Sequence, residues 1–428
     1  MPDGSATAHL YRPKLINLLQ EGYGLASLRA DAFAGLTVAI VDLPLSMAIA
    51  VASGVSPERG LYAAIIGGFI VSALGGSRYQ IGGPAGAFIV LVSATVATHG
   101  LEGLLLAVII SGTLLTLVGI ARLGSLIRYI PHAVTVGFTA GIAVTIFASQ
   151  IKDIAGLRLS AAEPGPLLPK LTALAAAAGT VNFSAFALGV GTVAVVFMLA
   201  RWTPKLPAML IAVVLASLAV TALGLPVETI GSRFGGISQG LPMPSLPALD
   251  YEKVIGILPV ALSFTLLGAV ESLLSAKVAD GMTGRRHRYN MELVAQGVAN
   301  VTSALFGGIS VTGTIARTAT NIRAGGRTPV SGILHAAFLL IFVLVAAPLA
   351  NSIPLAALAG VLVVVCWNMT EKTEFKKLLR NWETAAILLL TFALTVIFDL
   401  TYGIVAGCML AAVLHVRQYY VRGGQSGH

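Results

Sequence analysis

Long apolar runs separated by short polar stretches recur along almost the whole 428-residue chain. A helix needs about 20 apolar residues to cross the roughly 30 Å hydrocarbon core of a bilayer, and many runs approach that length. The pattern therefore predicts an all-α polytopic membrane protein with fourteen spans, several of them short. The predicted spans cover residues 31–54, 60–76, 80–99, 102–121, 130–151, 183–201, 206–225, 254–280, 289–308, 310–326, 331–350, 354–369, 383–398 and 400–416.

Composition supports this class, because 56% of the residues are hydrophobic and only 11% are charged. Soluble domains average roughly a quarter charged residues. The first 30 residues contain no continuous apolar core and no small-residue cleavage site, so we expect no removed signal peptide. Residues 1–30 are predicted to form a cytoplasmic N-terminus, in which residues 10–29 make an amphipathic stretch on the membrane surface.

The net charge of +9 would suit a nucleic-acid-binding protein, but the distribution of the basic residues indicates membrane topology instead. Leaving out Lys277 and Arg317, which lie within predicted spans, 19 Lys and Arg fall on one side and 6 on the other. The positive-inside rule then places both termini in the cytoplasm of a plasma or inner membrane. We expect no nucleic-acid partner, and we interpret the basic clusters at 285–288 and 372–380 as anchors near lipid headgroups.

The chain has a weak internal symmetry. The first seven spans occupy residues 31–225, a Gly/Pro-rich linker covers 226–253, seven more spans occupy 254–416, and 417–428 form a cytoplasmic tail. Seven is an odd number, so the second half must enter the membrane from the opposite side. Such inverted repeats are typical of secondary transporters, whose substrate site lies near the bilayer midplane.

The third span of each half is interrupted in a matching way, at residues 81–88 and 309–321. Each segment is predicted to run extended and then begin a short helix. The alternative for Gly82-Gly83-Pro84 alone is a tight turn outside the membrane, but paired breaks favour a transport site. Free amides and partial positive charge at two opposed helix starts would form an anion cradle.

Arg317 lies within the second interrupted segment. A charge inside a bilayer costs from roughly 3 to more than about 10 kcal/mol, so its presence usually marks a function. We predict that Arg317 faces an anion held between the two helix starts. The residues predicted to bind the anion at these starts are Ala85, Gly86, Ala87, Phe88, Thr314, Ile315, Ala316, Arg317 and Thr318.

Two acidic residues also lie within predicted spans and are candidates for coupling. Glu271 has three alternatives: it pairs with Arg317 in the empty state, it takes up a proton, or it helps to bind sodium. Desolvation makes a buried carboxyl group easier to protonate. Asp42 is either a further coupling site or a side chain that only faces water near the cavity.

Several short motifs resemble those of the sulfate permease family, also called solute carrier 26. Residues 42–50 resemble the family's Pro-Gln-Ser-Met-Ala-Tyr-Ala segment, and Gly83-Pro84 resembles the break in its third span. Further resemblances, in order along residues 31–416, are Pro131-His132 with Gly137-Phe138, Gly240-Leu241-Pro242, Asn290 with Glu292, Gln296-Gly297 and Asn300, and Arg317 with Ala324-Gly325 and Arg327-Thr328-Pro329.

The resemblance implies a core domain of spans one to four and eight to eleven, and a gate domain of the other six spans. It also implies a homodimer and an elevator-like movement of core against gate. Leu45 and Ile49 match substrate-contact positions where the family commonly has glutamine and an aromatic residue. The pocket is therefore less polar than the family pattern, which counts against sulfate and leaves room for a carboxylate or bicarbonate. Family members usually carry a regulatory domain after the last span, whereas this sequence stops at His428.

We therefore predict a secondary active transporter of small anions: dicarboxylate, bicarbonate, sulfate or chloride. Symport with protons is preferred, with sodium coupling and exchange as alternatives. An anion channel and a nucleobase permease of the same fold are competing hypotheses, although a nucleobase permease would have a carboxylate where the tenth span has Arg317. We find no phosphate-binding loop, nucleophile–base grouping or metal-ligand spacing, so we expect no enzyme activity, cofactor or metal.

Overall fold

The computed structural model describes residues 11–125, 131–161, 163–164, 167–204, 206–248, 250–398 and 400–423. The predicted inner residues Arg128 and Lys205 lie outside these ranges, as do residues 1–10 and 424–428 of the predicted cytoplasmic ends. The first half begins with a short helix and a long one, α1 (Lys14–Glu21) and α2 (Leu25–Ala52). Its further elements are α3 (Pro57–Tyr62), a π-helical turn (Ala63–Gly67), α4 (Gly68–Leu74), β1 (Gly82–Gly83), a 3₁₀ turn (Gly86–Phe88), α5 (Ile89–Ile120), α6 (His132–Ala155), α7 (Leu167–Ala176), a 3₁₀ turn (Ala178–Thr180), α8 (Phe183–Trp202) and α9 (Ala208–Leu223).

The second half repeats this order after a linker that contains one short helix, α10 (Ile230–Phe234). Its elements are α11 (Tyr251–Thr283), α12 (Tyr289–Leu305), β2 (Thr312–Gly313), α13 (Ile315–Arg323), α14 (Val330–Ala350), α15 (Leu355–Met369), α16 (Lys372–Leu378), α17 (Trp382–Ile397) and α18 (Leu400–Gly423). In the described part of the chain, seven helices are long and apolar enough to cross a membrane, and four shorter apolar helices accompany them.

Each of the fourteen predicted spans has a counterpart in the structure. The second span is a compound of α3, the π-helical turn and α4, and the tenth combines β2 with α13. The third and fourth spans are the two arms of α5, which is broken at Gly100 (φ 67°, ψ −174°). A positive φ of this kind is readily adopted by glycine and rarely by other residues. The predicted arrangement in two halves of seven therefore fits the observed order.

Three boundaries differ from the prediction. The first span is predicted to begin at residue 31, but Gly22 with φ 88° ends α1 and α2 already begins at Leu25, within the amphipathic stretch 10–29. The last helix continues to Gly423, past the predicted end of the fourteenth span at residue 416. The linker is partly ordered by α10, whose start is fixed by reciprocal hydrogen bonds between Thr229 and Ser232. In the sequence, the signal of such a helix cap is weaker than the apolar pattern that defines the spans.

Two groups of helices pack most extensively. In one group, α2 packs on α14 and α5 packs on α11 and α12, while in the other α6 packs on α15 and α17. The α5–α12 contact is close because Gly112 faces Gly297. A Cβ added to Gly112 would lie 2.6 Å from the Gly297 carbonyl oxygen. Small residues permit such close helix packing in lipid, where no hydrophobic force drives helices together.

The two interrupted segments meet as a buried pair of antiparallel strands. Gly82 pairs with Gly313 and Gly83 with Thr312, so β1 of the first half is joined to β2 of the second. Side chains complete the hydrogen bonding around the pair: the Asn300 amide donates to the Val311 carbonyl at 2.7 Å and accepts from its N–H at 2.9 Å. Irregular backbone at membrane depth persists only where protein satisfies its polar groups in this way.

Gly313→Ala is expected to lower the apparent melting temperature of the purified protein by several degrees and to reduce uptake. A Cβ at Gly313 would lie 1.6 Å from Gln80 Nε2, and Gln80 is buried and donates to the Ser272 hydroxyl at 3.0 Å. Forcing an extra carbon into a packed site typically costs about 1–3 kcal/mol. Gly256→Ala is the matched control, since nothing lies within 4 Å of a Cβ added there. Equal melting temperatures for the two variants would contradict this role of the strand pair.

Candidate functional site

The Arg317 side chain is buried and bonded to three other parts of the protein. Its Nε donates to Asp42 Oδ1 of α2 at 2.6 Å, and its Nη2 donates to the Pro84 carbonyl at 2.6 Å. Longer bonds reach Ser46 Oγ at 3.3 Å and Thr314 Oγ1 at 3.2 Å. The guanidinium group thus ties α13 to α2 and to the backbone between β1 and the 3₁₀ turn.

Asp42 is the centre of this network. Its Oδ1 accepts from the Ser46 hydroxyl at 2.8 Å as well as from Arg317, and its Oδ2 lies 3.0 Å from His335 Nε2 of α14. Asp42 and His335 have no exposed surface. The alternative that Asp42 only faces water is therefore wrong, because the carboxylate is enclosed by partners.

His335 is a site residue that the sequence reasoning missed. It is the one ionisable side chain in the apolar run of α14, and that signal could have marked it, since ionisable residues inside a membrane usually have a function. Its Nδ1 is buried without a hydrogen-bond partner among the residues that the structure describes. The ring is therefore held by the described residues through Nε2 alone.

The Asp42–Arg317 pair changes the electrostatics expected at the site. A buried charge is far less costly when an opposite charge and further hydrogen bonds compensate it. With Asp42 ionised and His335 neutral, the network carries no net charge. The Arg317 guanidinium consequently cannot act as a free cation, and the attraction for an anion depends on the protonation of its neighbours.

The two helix starts lie on either side of the Arg317 guanidinium. Neither start is capped by a side chain, and the first backbone bonds within them are donated by Phe88 and Thr318, both at 3.1 Å. The amide groups before these donors have no acceptor within their own helix. On the β1 side, a Cβ at Gly83 would lie only 3.0 Å from Arg317 Cζ, so the side chain rests directly on that backbone.

The predicted substrate-binding residues differ in exposure, and the difference shows where the site opens. Gly86 and Thr314 are partly buried, while Ile315 and Ala316 at the start of α13 are exposed. The others are buried: Leu45, Ile49, Ala85, Ala87, Phe88, Arg317 and Thr318. Two residues of the other helix group face the 3₁₀ turn, because a Cβ at Gly86 would lie 3.4 Å from Met369 Sδ and 3.9 Å from Ile146 Cδ1. The accessible edge of the site is therefore formed by the first residues of the two helix starts.

One wall of the site is formed by α11. The ring of Phe88 stacks on that of Phe264 with a centroid distance of 5.7 Å, and the hydroxyls of Thr318 and Ser275 lie 3.2 Å apart. These contacts hold both helix starts against the same helix. The two starts consequently pack against a common helix.

Glu271 of α11 forms no close ion pair with Arg317 among the residues that the structure describes, and its three alternative roles remain predictions. Arg317 has Asp42 as its carboxylate partner, and no carboxylate oxygen of Glu271 lies within 4 Å of Arg317 in the described part of the chain. Glu271 Oε2 is buried without a hydrogen-bond partner among those residues. A buried carboxylate oxygen without a donor is costly, and a proton or a cation would relieve that cost.

Comparisons of the sequence and of the structure with known proteins agree with one another. A model of the sulfate permease family matches residues 28–395. The Bacillus subtilis protein YvdB is 44% identical over 400 residues, which cover 93% of this chain and 75% of YvdB. The solved transmembrane domain of a cyanobacterial bicarbonate transporter, BicA, has a TM-score of 0.82 at 32% identity and covers 89% of this chain and 98% of that domain.

A more distant structure shows the same architecture. The murine solute carrier 26 family member A9, solved in an inward-facing state, matches with a TM-score of 0.86 over 98% of this chain and 73% of its own. Its identity of 17% carries an argument about the fold alone. Together the two structures confirm the predicted all-α fold of fourteen segments in two inverted repeats.

Proposed function

The chain belongs to the sulfate permease family of membrane transport proteins, and we propose that it is a secondary active transporter of small anions. The observation that carries the proposal is the meeting of two uncapped helix starts at a buried arginine. Backbone amides at helix starts bind small anions without further special chemistry. The relatives named for bicarbonate transport make a small oxyanion a natural substrate class.

We propose that monovalent oxyanions, bicarbonate or a small carboxylate, are preferred over sulfate. Asp42 already compensates the Arg317 charge, so a dianion would bring two negative charges to a network with no net positive charge. Leu45 and Ile49 are buried apolar residues and offer no additional donors. Dicarboxylate and chloride remain alternative substrates, which the uptake experiment described below includes. Relatives named for sulfate transport make sulfate the main competing substrate.

Alternating access in this proposal is an elevator-like shift of the core past the gate. Asp42, Arg317, His335 and Glu271 lie on α2, α13, α14 and α11, all within the proposed core. Gate helices α6 and α15 approach the site through Ile146 and Met369 at Gly86. Both of these gate side chains are apolar, and in this proposal the core carries its internal network as one body.

We propose that protons are coupled to transport through two acidic residues, Asp42 and Glu271. A proton on Asp42 would leave Arg317 as an uncompensated cation beside the helix starts, and so anion binding and proton uptake would favour each other reciprocally. Glu271, whose Oε2 has no donor, is a second place for a proton or for sodium. Proton symport is the preferred form, with sodium coupling or exchange as the alternatives that measurement decides.

The proposal includes the cell membrane as the location, both termini in the cytoplasm and a homodimer as the working unit. The placement of the termini is supported by the basic residues of α1, of the turn before β1 and of the α11–α12 connection, which lie together on one face. Positive charge is enriched on the cytoplasmic side of membrane proteins. The dimer rests on the family relationship.

Uptake into proteoliposomes tests the proposal. Labelled bicarbonate, acetate, succinate, sulfate and chloride are offered with no gradient, a proton gradient or a sodium gradient. We expect saturable uptake of bicarbonate or acetate that accumulates with an inward proton gradient and little uptake of sulfate. Single-channel currents would support the channel hypothesis, and saturable uptake of labelled uracil would support the nucleobase hypothesis. Either result, without coupled anion uptake, would overturn the proposal.

A further inference from the structure

A polar cavity of about 310 Å³ lies away from the transport site. It is formed by three elements that meet: α1, the turn that precedes β1 and the connection between α11 and α12. Its charged lining consists of Lys14, Arg78, Arg285, Arg286, Asp280 and His287. All four cationic residues belong to regions that the positive-inside rule assigns to the cytoplasm.

The positive charge of this cavity is only partly compensated. Arg78 is held by Glu21 with bonds of 2.5 and 2.7 Å, and Asp280 is held by His287 Nδ1 at 2.6 Å. The ammonium group of Lys14 donates to the Arg286 carbonyl at 3.0 Å. Within the described ranges, neither Lys14, Arg285 nor Arg286 has a carboxylate oxygen within 4 Å. Four cationic side chains thus line the cavity with one acid, Asp280, and Glu21 adds a second acid as the partner of Arg78.

The pKa of Lys14 reflects this excess of positive charge. Burial lowers the pKa of its ammonium group, and the nearby guanidinium groups of Arg288 and Arg78 lower it further, while the Asp280 carboxylate only partly opposes them. An anion in the cavity would act in the opposite direction and favour the charged form of Lys14. The four cationic side chains outnumber these two acids, so an excess of positive charge remains for an additional anionic group.

We propose that this cavity binds a phosphate group. Guanidinium groups present paired N–H donors that match phosphate oxygens, and the lysine adds a third charge. Two sources have this chemistry, an anionic phospholipid headgroup and a soluble phosphate compound. The headgroup has access along α1, whose Leu19 is 70% exposed and whose Ile16 is 42% exposed beside the basic cluster. Apolar side chains on such a helix are typical of an element that lies in the membrane interface.

The proposed phosphate site is connected to β1 through hydrogen bonds of the turn that precedes this strand. The turn that forms one wall accepts from the backbone N–H of Lys14 at Gly75 and from that of Arg288 at Gly76, both at 3.0 Å. The next residue, Ser77, donates its N–H to the buried carboxylate of Glu292 at 2.9 Å. A phosphate held by α1 and the α11–α12 connection would therefore clamp the segment that leads into the strand pair. Binding to the folded state alone raises its stability.

Thermal unfolding of the full chain tests the proposal in two arms. In neutral detergent, inorganic phosphate is titrated against an equal ionic strength of chloride. In nanodiscs, phosphatidylcholine alone is compared with phosphatidylcholine containing phosphatidylglycerol. Arg285→Ala combined with Arg286→Ala removes two exposed side chains from the cavity. Lys376→Ala combined with Lys377→Ala is the matched control, because both lysines are exposed, predicted to face the cytoplasm and outside the cavity.

We expect a rise of several degrees in the melting temperature of the unmodified protein and the lysine control, and loss of most of that rise in the arginine variant. A rise confined to phosphatidylglycerol identifies the headgroup as the ligand, and a rise confined to inorganic phosphate identifies a soluble compound. The absence of any rise in both arms, or an equal rise in the arginine variant, would overturn the proposal. The readout does not depend on which anion the protein transports.

Discussion

Arg317→Ala is expected to reduce the initial rate of anion uptake at low substrate concentration by about 30-fold or more. Removing a charged hydrogen-bonding group from a buried binding contact, here the proposed contact of Arg317 with the anion, costs about 2–5 kcal/mol of binding free energy, and each 1.4 kcal/mol corresponds to a factor of about ten. The guanidinium group links α13, Asp42 and the Pro84 carbonyl, so its loss removes charge and loosens both helix starts. The measurement is labelled uptake into proteoliposomes with matched amounts of protein.

The structure adds a stability effect that must be separated from the loss of function. Arg317→Ala leaves the Asp42 carboxylate buried without its cationic partner, which costs about 3–5 kcal/mol in other proteins. The double variant Asp42→Asn with Arg317→Gln removes both charges and should recover much of the melting temperature while uptake stays low. A double variant that folds and transports like the unmodified protein would show that the site lies elsewhere.

Glu271→Gln is expected to abolish the dependence of anion accumulation on the proton gradient while leaving downhill uptake or exchange in place. Glutamine has nearly the same shape as glutamate but cannot take up and release a proton. The buried Oε2 of Glu271 has no donor among the described residues, so the substitution breaks no hydrogen bond to that atom. The measurement is accumulation at a series of imposed pH gradients.

Glu252→Gln is the control for this experiment, because Glu252 lies on the same helix, α11, and is exposed. It should accumulate anion like the unmodified protein. Unchanged accumulation by Glu271→Gln would exclude Glu271 as the coupling residue and direct attention to Asp42 and His335. Loss of a sodium dependence in place of a pH dependence would assign Glu271 to sodium coupling.

Most of the fold could be predicted because the bilayer imposes a strong and local constraint. Each span needs a continuous apolar run, and this signal located α6, α8 and α14 within a few residues of their observed positions. The interrupted segments were also predictable, since glycine, proline and threonine weaken helices wherever they occur. Short helices outside the spans, such as α16, carry no comparable apolar signal.

The composition of the site was only half predictable. Arg317 could be singled out because a lone charge in an apolar run is informative by itself. Its partner could not, because Asp42 lies 275 residues away in sequence, and Glu271 was an equally reasonable candidate. His335 completes the network from a third helix. Pairing of side chains across helices depends on packing angles and rotations that a single sequence does not specify.

The pairing of Gly82–Gly83 with Thr312–Gly313 has a consequence for biogenesis. The ribosome delivers β1 to the membrane long before β2 exists, because the rest of the first repeat, the linker, α11 and α12 are synthesised in between. Until then the β1 backbone must find provisional partners, for example water or the insertion machinery, since open strand edges are not tolerated in hydrocarbon. The first repeat is therefore an unfinished intermediate, and closure of the strand pair is a late assembly step that commits the two halves to each other.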